Sequence, residues 1–277
     1  MSVFSSLKKK REFKRISKDI KKVKIQGARN IALAALKAYC LIPKKKSKKK
    51  LLKLRPTEPM MENVLDLAEK GKTKNEILKH FSSSQEKINL SVLKLIKSED
   101  ILFTHCHSTN VVNALINAKR KKKKFSVYNT ETRPLFQGRK TAKELKNAGI
   151  SVTQFVDSAV GIALSKEQGT KAVDKVFLGA DALTSKGIIN KVGSETIAIL
   201  AKQNKIPVYI IADSWKHSKK KNIPMENREL NEVWDQAPKD IKIQNPAFEF
   251  VPKKYLKGIV TEFGLQSYDN FLNKVGK

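Results

Sequence analysis

Residues 174–194 read DKVFLGADALTSKGIINKVGS, and this stretch decides the fold. The short apolar run at 176–178 predicts a buried strand that ends just before Asp181. Ser194 then begins a segment with apolar residues at helical spacing. Ligands of open α/β sheets bind beyond the carboxyl ends of the strands. Asp181 is therefore placed where a binding site is expected, although a lone strand-end aspartate more often only caps a loop.

The same alternation of strand and helix extends on both sides of this stretch. Apolar runs predict further strands at residues 101–104, 125–129, 150–156, 206–212 and 248–251. Helices of about 10 to 15 residues between strands imply right-handed crossovers and a mostly parallel sheet. Residues 98–277 are thus expected to form a Rossmann-like domain of the α/β class. The G-x-G-x-x-G and P-loop motifs are absent, which argues against a dinucleotide enzyme and a P-loop NTPase.

Residues 1–97 contain no strand candidate and are expected to form a small helical domain. Apolar spacing predicts a basic amphipathic helix over 7–24 and an alanine-rich helix over about 31–41, which Pro43 and the lysine run behind it end. Cys40 lies on the alanine-rich face and is expected in the core. Capping boxes predict helix starts at Thr73 with Glu76, at Ser83 with Glu86 and, beyond this domain, at Thr141 with Glu144.

The composition bounds the partners of the chain. Its 277 residues are 40% hydrophobic, which is enough to fill a core. A net charge of +31 predicts attraction to polyanions, either nucleic acid or phosphorylated metabolites. Interleaved aromatic residues are scarce, so specific nucleic-acid binding is not expected. The lysine runs are interpreted as solvated surface; they lie at residues 44–50, 119–124 and 219–221.

The cysteine content and the hydropathy favour a cytoplasmic location. The two cysteines form no disulfide framework, which is typical of a reducing compartment. No apolar run approaches the roughly 20 residues that span a bilayer, so no membrane partner is expected. The apolar stretch near the N-terminus is too short for a signal peptide.

Polar groups follow five of the predicted strands. They lie at residues 104–108, 129–131, 157–158, 181 and 213–216. Parallel strands place their carboxyl ends side by side, so these groups are expected to converge on one edge of the sheet.

Cys106 is the most reactive candidate at this edge. It lies two residues before a predicted helix start at Ser108, where free N–H groups bind anions and lower the pKa of a thiol. The alternative is a buried cysteine that acts as a small hydrophobe, but its neighbours His105 and His107 favour a functional role. Adjacent residues of a strand point to opposite faces, so the two histidines and Cys106 are not expected to share a metal ion. Neither a metal nor a cofactor is expected.

A thiol and a carboxyl group together suit proton transfer beside an anionic substrate. Aldose–ketose isomerisation removes a proton from one carbon and returns one to its neighbour. Phosphate groups of the substrate would lie against helix N-termini and basic side chains.

Four segments resemble a known superfamily in their order and spacing. They are TETRPLFQGRKTAKELKNAGISVTQFVDSAVG at 130–161, KVFLGADALTSKGIINKVGS at 175–194, IPVYIIADSWK at 206–216 and NPAFEFVPKKYLKGIVTEFG at 245–264. The superfamily contains the alpha, beta and delta subunits of translation initiation factor 2B, methylthioribose-1-phosphate isomerase and archaeal ribose-1,5-bisphosphate isomerase. In the helical part the resemblance rests on IQGARNIALAA at 25–35 and LRPTEP at 54–59.

The resemblance implies a helical N-terminal domain, a Rossmann-like C-terminal domain, and dimers or hexamers. The catalytic cysteine and aspartate of the isomerases correspond to Cys106 and Asp181. Both are present, whereas regulatory subunits often lack one or both, which favours an enzyme. The resemblance also implies a set of residues that contact the sugar phosphate: Gly27, Ala28, Arg29, Arg55, Ser108, Thr109, Asn110, Asn190, Lys191 and Lys216.

The sequence departs from the isomerase pattern at three places. Gln26 stands where the isomerases carry an arginine, and Arg29 or a nearby lysine is the candidate substitute. The turn between Asp181 and Asn190 is one residue shorter. The run around Cys106 reads HCHS instead of HCNS.

The leading hypothesis is an isomerase that converts ribose 1,5-bisphosphate to ribulose 1,5-bisphosphate, with Cys106 as proton acceptor and Asp181 as proton donor. Methylthioribose-1-phosphate isomerase is the nearest enzymatic alternative, although the basic surface favours two phosphates. The alternative from another class is a non-catalytic subunit that binds initiation factor 2, or a sugar-phosphate or nucleotide effector.

Overall fold

The computed structural model describes residues 3–166, 169–220 and 222–276. Its helices are α1 Val3–Lys21, α2 Ala28–Leu41, α3 Lys45–Leu52, α4 Pro59–Glu69, α5 Lys74–Leu95, α6 Thr109–Arg120, α7 Gln137–Asn147, α8 Val160–Leu164, α9 Ser194–Gln203 and α10 Tyr268–Val275. Its strands are β1 Asp100–Thr104, β2 Phe125–Thr130, β3 Ser151–Phe155, β4 Lys175–Leu178, β5 Ala182–Thr184, β6 Gly187–Lys191, β7 Val208–Ile211, β8 Phe248–Pro252, β9 Gly258–Thr261 and β10 Gly264–Gln266.

Seven strands form the main sheet in the order β10-β9-β7-β4-β1-β2-β3. All neighbours are parallel except β10, which is antiparallel to β9. The six parallel strands, numbered within this sheet, follow the Rossmann order 3-2-1-4-5-6, whose direction reverses between β1 and β4. The predicted α/β class with a mostly parallel sheet is confirmed.

A second, antiparallel sheet has the order β5-β6-β8. The run at 248–251, predicted as a strand that follows the parallel set, forms β8 and pairs with β6 instead. The sixth parallel strand is β9, which lies beside β7. Assigning 248–251 to the main sheet was wrong because a short apolar run has the same pattern in either sheet, and only its partner differs.

The N-terminal helices share one hydrophobic core. Ile20 of α1, Ile31 of α2 and Met61 of α4 are fully buried in it, so the predicted apolar stripes are confirmed. Cys40 is exposed, and its assignment to the core was wrong. Its helix is amphipathic, and Cys40 falls on the solvent side.

One local prediction in this part was wrong, and one helix was not predicted. The alanine-rich helix α2 ends at Leu41, before Pro43 and the lysine run, as predicted, but the run itself forms α3, in which Leu51 is buried while most of the lysines face solvent. Ser83 starts no helix, since α5 is continuous from the confirmed capping box of Thr73 and Glu76. Of the third lysine run, residue 221 lies outside the described residues.

Helix α5 links the helical part to the sheet. Ile77 and Phe81 lie in the core of the N-terminal helices, whereas Ile88 and Val92 pack with Leu102 of β1. The predicted boundary between residues 97 and 98 falls in the loop from α5 to β1 and stays a prediction. Among the described residues, no helix is both long and apolar enough to cross a membrane.

Candidate active site

A cavity lies at the carboxyl ends of β1 and β4, where the strand order reverses. Such a switch point is the usual ligand site of a Rossmann-type sheet. The cavity contains about 1030 Å³ of open space, including its solvent-facing mouth. All twelve residues that the sequence predicted for the site line it: Gly27, Ala28, Arg29, Arg55, Cys106, Ser108, Thr109, Asn110, Asp181, Asn190, Lys191 and Lys216.

Cys106 occupies the turn between β1 and α6 in a left-handed backbone conformation, with φ of 63°. Its N–H donates to Thr132 Oγ1 at 3.0 Å, and its carbonyl accepts from the hydroxyl of Thr141 at 2.8 Å. The capping box predicted at Thr141 was wrong, because α7 already begins at Gln137 and the hydroxyl serves this turn. Hydrogen bonds from two sides thus hold an unusual conformation for a residue other than glycine.

The thiol of Cys106 is less acidic than the sequence predicted. Burial raises its pKa to about 11, although the charge of Lys191 and the N–H of His107 act in the opposite direction. The expected lowering by the helix N-terminus was wrong, because desolvation of the thiolate outweighs these favourable contacts.

The two histidines that flank Cys106 have separate partners. Burial lowers the pKa of His105 to about 4, so its ring is neutral at neutral pH. Its Nε2 lies 2.9 Å from the carbonyl of Val192, which only accepts, so Nε2 carries the proton. The Nδ1 then accepts from the hydroxyl of Thr130. His107 Nε2 lies 3.2 Å from Glu144 Oε1.

The N-terminus of α6 approaches β4 very closely. Ser108 caps this helix, as predicted, by accepting from the N–H of Val111. A Cβ at Gly179 would lie only 2.6 Å from the Cβ and Oγ of Ser108. Glycine at 179 therefore allows the helix N-terminus to reach the cavity.

Asp181 lies at the base of a hairpin formed by β5 and β6. Its N–H donates to the carbonyl of Ile189 at 2.8 Å. Thr184 pairs with Gly187, so the shortened turn is a tight two-residue connection, and Asn190 still reaches the cavity wall. Burial raises the pKa of Asp181, and nearby basic side chains act against this.

Lysines flank this carboxyl group. Lys191 Nζ lies 5.1 Å from the ring centroid of Phe248, and Lys216 Nζ donates to the carbonyl of Ala180 at 2.5 Å. Both side chains are buried. Asn190 donates to Ser194 Oγ at 2.8 Å, so the packing of α9 fixes its amide.

Arg55 reaches the cavity from the helical part of the chain. Its Nε lies 2.9 Å from both carboxylate oxygens of Glu226, and its Nη2 donates to Glu58 Oε1 at 3.2 Å. Sequence reasoning missed Glu58, which also lines the cavity. Burial and the charge of Asp181 raise the pKa of Glu58 to about 8. The signal that pointed to it was its place in LRPTEP, three residues after Arg55.

The cavity wall also includes Gln26 and several basic side chains that could replace the arginine missing at position 26. Gln26 and Arg29 both line the cavity, and so do Lys140 and Arg228, which the sequence reasoning missed. The Arg29 guanidinium lies 5.3 Å from the ring centroid of Phe81. Arg29 is thus available as a replacement for the cation lost at position 26.

Convergence of the strand ends was wrong for the groups at 129–131 and for two aspartates. Residues 129–131 do not line the cavity, and Glu131 accepts from Arg139 instead. Asp157 accepts the N–H groups of Thr132 and Arg133 and stabilises that loop. Asp213 accepts from Ser84 Oγ at 2.6 Å and lies 3.2 Å from His80 Nε2. Neither aspartate lines the cavity, because each is hydrogen-bonded to a helix or loop that packs at the same edge of the sheet.

The fold and the cavity define a Rossmann-type protein with a cavity lined by several basic side chains at the switch point of its sheet. Residues 24–267 match the Initiation factor 2 subunit family. The chain belongs to this family, and the predicted resemblance is confirmed.

Two curated relatives and one solved structure illustrate the similarity. A Methanocaldococcus jannaschii protein named ribose 1,5-bisphosphate isomerase is 35% identical over 89% of this chain and 88% of its own length. A Carboxydothermus hydrogenoformans methylthioribose-1-phosphate isomerase is 35% identical over 65% of this chain and 57% of its own. A solved structure of a Pyrococcus horikoshii translation initiation factor eIF-2B is 23% identical and superposes with a TM-score of 0.79. The match covers 92% of this chain and 96% of the other. The last similarity shows a shared fold.

Proposed function

We propose that this protein is a sugar-phosphate isomerase that converts ribose 1,5-bisphosphate to ribulose 1,5-bisphosphate. The observation that carries the proposal is the meeting of Cys106 and Asp181 in one cavity with several basic side chains. Relatives of similar length that are named sugar-phosphate isomerases support the class of enzyme. The extent of the similarity favours the bisphosphate, because the chain spans 88% of the Methanocaldococcus jannaschii isomerase.

In this mechanism Cys106 accepts the proton from C2 of the sugar and Asp181 donates one. Burial raises the pKa of Asp181, which favours the protonated carboxyl group that a donor requires. The thiolate of Cys106 is scarce at neutral pH, and the charge of Lys191 favours its formation. Isomerisation leaves the total oxidation state unchanged, so these groups need no redox cofactor.

Two helix N-termini support a substrate with two phosphates. The first residues of α2, with Gly27 and Ala28, line the cavity on one side, and those of α6, with Ser108 and Thr109, line it on another. Helix N-termini bind phosphate through free N–H groups and the helix dipole. Arg29 and Lys216 contribute charge to the same cavity.

Parallel assays of two substrates test this function. The purified protein is incubated with ribose 1,5-bisphosphate and, separately, with methylthioribose 1-phosphate, and the ketose is followed by ¹³C NMR. We expect a kcat/KM at least about 100-fold higher for the bisphosphate, because losing one charge-assisted contact costs about 3 kcal/mol. Preference for methylthioribose 1-phosphate would assign the alternative isomerase. Inert behaviour toward both, together with stoichiometric retention of initiation factor 2, would assign the non-catalytic subunit.

We also infer that the chain forms a homo-oligomer, a dimer or a hexamer, in the cytoplasm. Exposed apolar side chains close together in the sequence support an assembly, and among them are Leu230, Val233 and Trp234. Light scattering after size-exclusion chromatography tests this, and a monomer at micromolar concentration would contradict it.

A further inference from the structure

Besides Gln137 Oε1, two neighbouring buried polar atoms of the cavity wall have no hydrogen-bond partner among the described residues. They are Nη1 of Arg55 and Oε2 of Glu58. The two side chains are joined by the contact from Nη2 of Arg55 to the other oxygen of Glu58, and both residues form part of the cavity wall. Leaving such atoms unpaired costs about 1–3 kcal/mol each, so they indicate a missing ligand.

The contacts of Glu58 decide which of its oxygens carries a proton. Oε1 accepts from Arg55, so the proton of a neutral Glu58 carboxyl group resides on Oε2. Burial, the largest cause, favours this neutral form and raises the pKa of Glu58 to about 8. Both unpartnered atoms are then hydrogen-bond donors. The ligand that completes them must supply acceptors, as the oxygens of a sugar phosphate do.

The isomerisation creates such an acceptor as it proceeds. When the C2 proton moves to the Cys106 thiolate, the C–H electron pair forms a C1–C2 double bond, the bond from C1 to the ring oxygen breaks, and negative charge develops on that sugar oxygen. The ring oxygen then takes up a proton, and the enol becomes the C2 ketone as C1 gains a proton and the C2 hydroxyl group loses one. A donor aimed at that oxygen from a dry site stabilises the transition state more than the ground state. A carboxylic acid that burial keeps neutral at neutral pH can act in this way.

We propose that Glu58, held as a neutral carboxylic acid, donates a hydrogen bond to the sugar oxygen on which negative charge develops. This inference rests on the proposed function. It assigns to Glu58 a role separate from those of Cys106 and Asp181, which exchange protons with the substrate. Arg55 orients the carboxyl group through Oε1 and presents its own free N–H beside it.

Two substitutions of Glu58 separate a donor from a structural group. Glu58→Gln retains an N–H donor that does not titrate, and Glu58→Leu fills a similar volume without a donor. We expect kcat of E58L to fall about 10²- to 10³-fold and kcat of E58Q to fall less than about tenfold, with KM nearly unchanged. A purely structural role predicts similar losses in both variants. Far-ultraviolet circular dichroism checks that each variant folds.

The pH profile supplies a second readout. The slope of log kcat/KM against pH should decrease near pH 8 in the wild type, where Glu58 loses its proton. E58Q should lack this break. Glu226→Gln removes the other carboxylate partner of Arg55 and is the matched control, because it should retain the break.

A direct titration does not depend on turnover. In protein labelled with ¹³C at glutamate carboxyl groups, the signal that E58Q lacks should titrate near pH 8. Titration below about pH 5, the ordinary range, would overturn the inference even if E58L fails to fold. If the wild type is active, two results would overturn this inference but leave the proposed function intact. They are a kcat of E58L within about threefold of the wild-type kcat, and a pH profile of E58Q that still shows the break near pH 8. A wild type without isomerase activity overturns the proposed function and this inference with it.

Discussion

Two clusters of ionisable groups lie at the same edge of the sheet, and they differ in how their polar atoms are satisfied. The first is the cavity wall around Arg55 and Glu58. The second, which we call the clamp, consists of His80, Ser84, Asp213, Ser214 and Glu262. The ligand atoms of its histidine and two carboxylates lie within 4.8 Å of one another, a spacing that also suits a metal ion.

Each carboxylate oxygen of the clamp already accepts a hydrogen bond. Asp213 accepts from Ser84 and from the N–H of Trp215, and Glu262 accepts from Ser214. Burial acts to raise the pKa of Asp213, but the contacts with His80 and Ser84 outweigh it and hold that pKa below its usual value. The cavity wall, in contrast, leaves a donor and a carboxyl oxygen unpaired.

The difference distinguishes a structural cluster from a ligand site. The clamp joins α5 to the turn that carries Lys216, and the ring of His80 stacks on Trp215 at 3.5 Å between centroids. The clamp therefore fixes the position of Lys216, although none of its own residues lines the cavity. Similar residue types line the cavity, but there Arg55 and Glu58 each have a polar atom without a protein partner, which the oxygens of a substrate can contact.

Loss of the acid–base pair should produce the largest effect. Cys106→Ser and Asp181→Asn should each lower kcat at least about 10³-fold, because each removes a proton-transfer group from the cavity. Product formation from ribose 1,5-bisphosphate is the measurement. Cys40→Ser is the matched control, since the exposed Cys40 should tolerate the change. Residual activity within tenfold of the wild type in either variant would remove that residue from the mechanism.

Closing the space beside Ser108 should produce the next effect. In Gly179→Ala the new methyl group would meet Ser108 Cβ and Oγ at 2.6 Å and displace the N-terminus of α6. We expect KM to rise about tenfold as phosphate contacts lengthen. Gly161→Ala is the control, because no atom lies within 4 Å of a Cβ there. Equal KM values for the two variants would contradict this account of Gly179.

Breaking the clamp should affect stability more than chemistry. Asp213→Ala removes the carboxylate that His80, Ser84 and the N–H of Trp215 contact, and it should lower the free energy of unfolding by about 2–4 kcal/mol. Its kcat should stay well above that of Cys106→Ser, because the clamp does not line the cavity. Denaturant unfolding measures the loss, and the exposed Asp235→Ala should change stability by less than about 0.5 kcal/mol. A loss as small as this control would show that the clamp is dispensable.

The smallest effect concerns the pH dependence of stability. The pKa of Glu58 is raised to about 8 in the folded state, so the wild type loses stability as pH rises from the ordinary glutamate pKa of the unfolded chain to about 8, and loses no more above it. Glu58→Gln removes this loss. Relative to the wild type, the variant should gain about 1 kcal/mol between about pH 7 and about pH 9. Parallel urea titrations at the two pH values measure the difference, and a constant offset would contradict the raised pKa.

The sequence predicted the positions of the strands better than their partners. Alternating strands and helices predicted a mostly parallel sheet, and the carboxyl ends of its strands bring Cys106 and Asp181 to one cavity. The run at 248–251 could not be assigned to a sheet, because its pattern contains no information on pairing. The end of a strand identifies the edge of the sheet on which a side chain lies, but not the element that packs against that side chain. Asp213 was therefore expected in the cavity, whereas it contacts α5 in the clamp.

Two further features depended on three-dimensional surroundings. Glu58 follows Arg55 by three residues and resembles an ordinary surface ion pair in sequence, although its side chain is only 1% exposed. The thiol of Cys106 follows the pattern of an activated cysteine, but the depth of burial reverses the direction of its pKa shift. Both depend on desolvation, which periodicity does not predict.

A crystal structure of Cys106→Ser with ribose 1,5-bisphosphate would locate the substrate relative to the cavity wall and the clamp. We expect the sugar phosphate in the cavity, with its oxygens within hydrogen-bond distance of Arg55 Nη1 and Glu58 Oε2, and an unchanged clamp. A ligand bound elsewhere, or a ligand in the cavity that leaves both atoms unpaired, would contradict this account of the cavity.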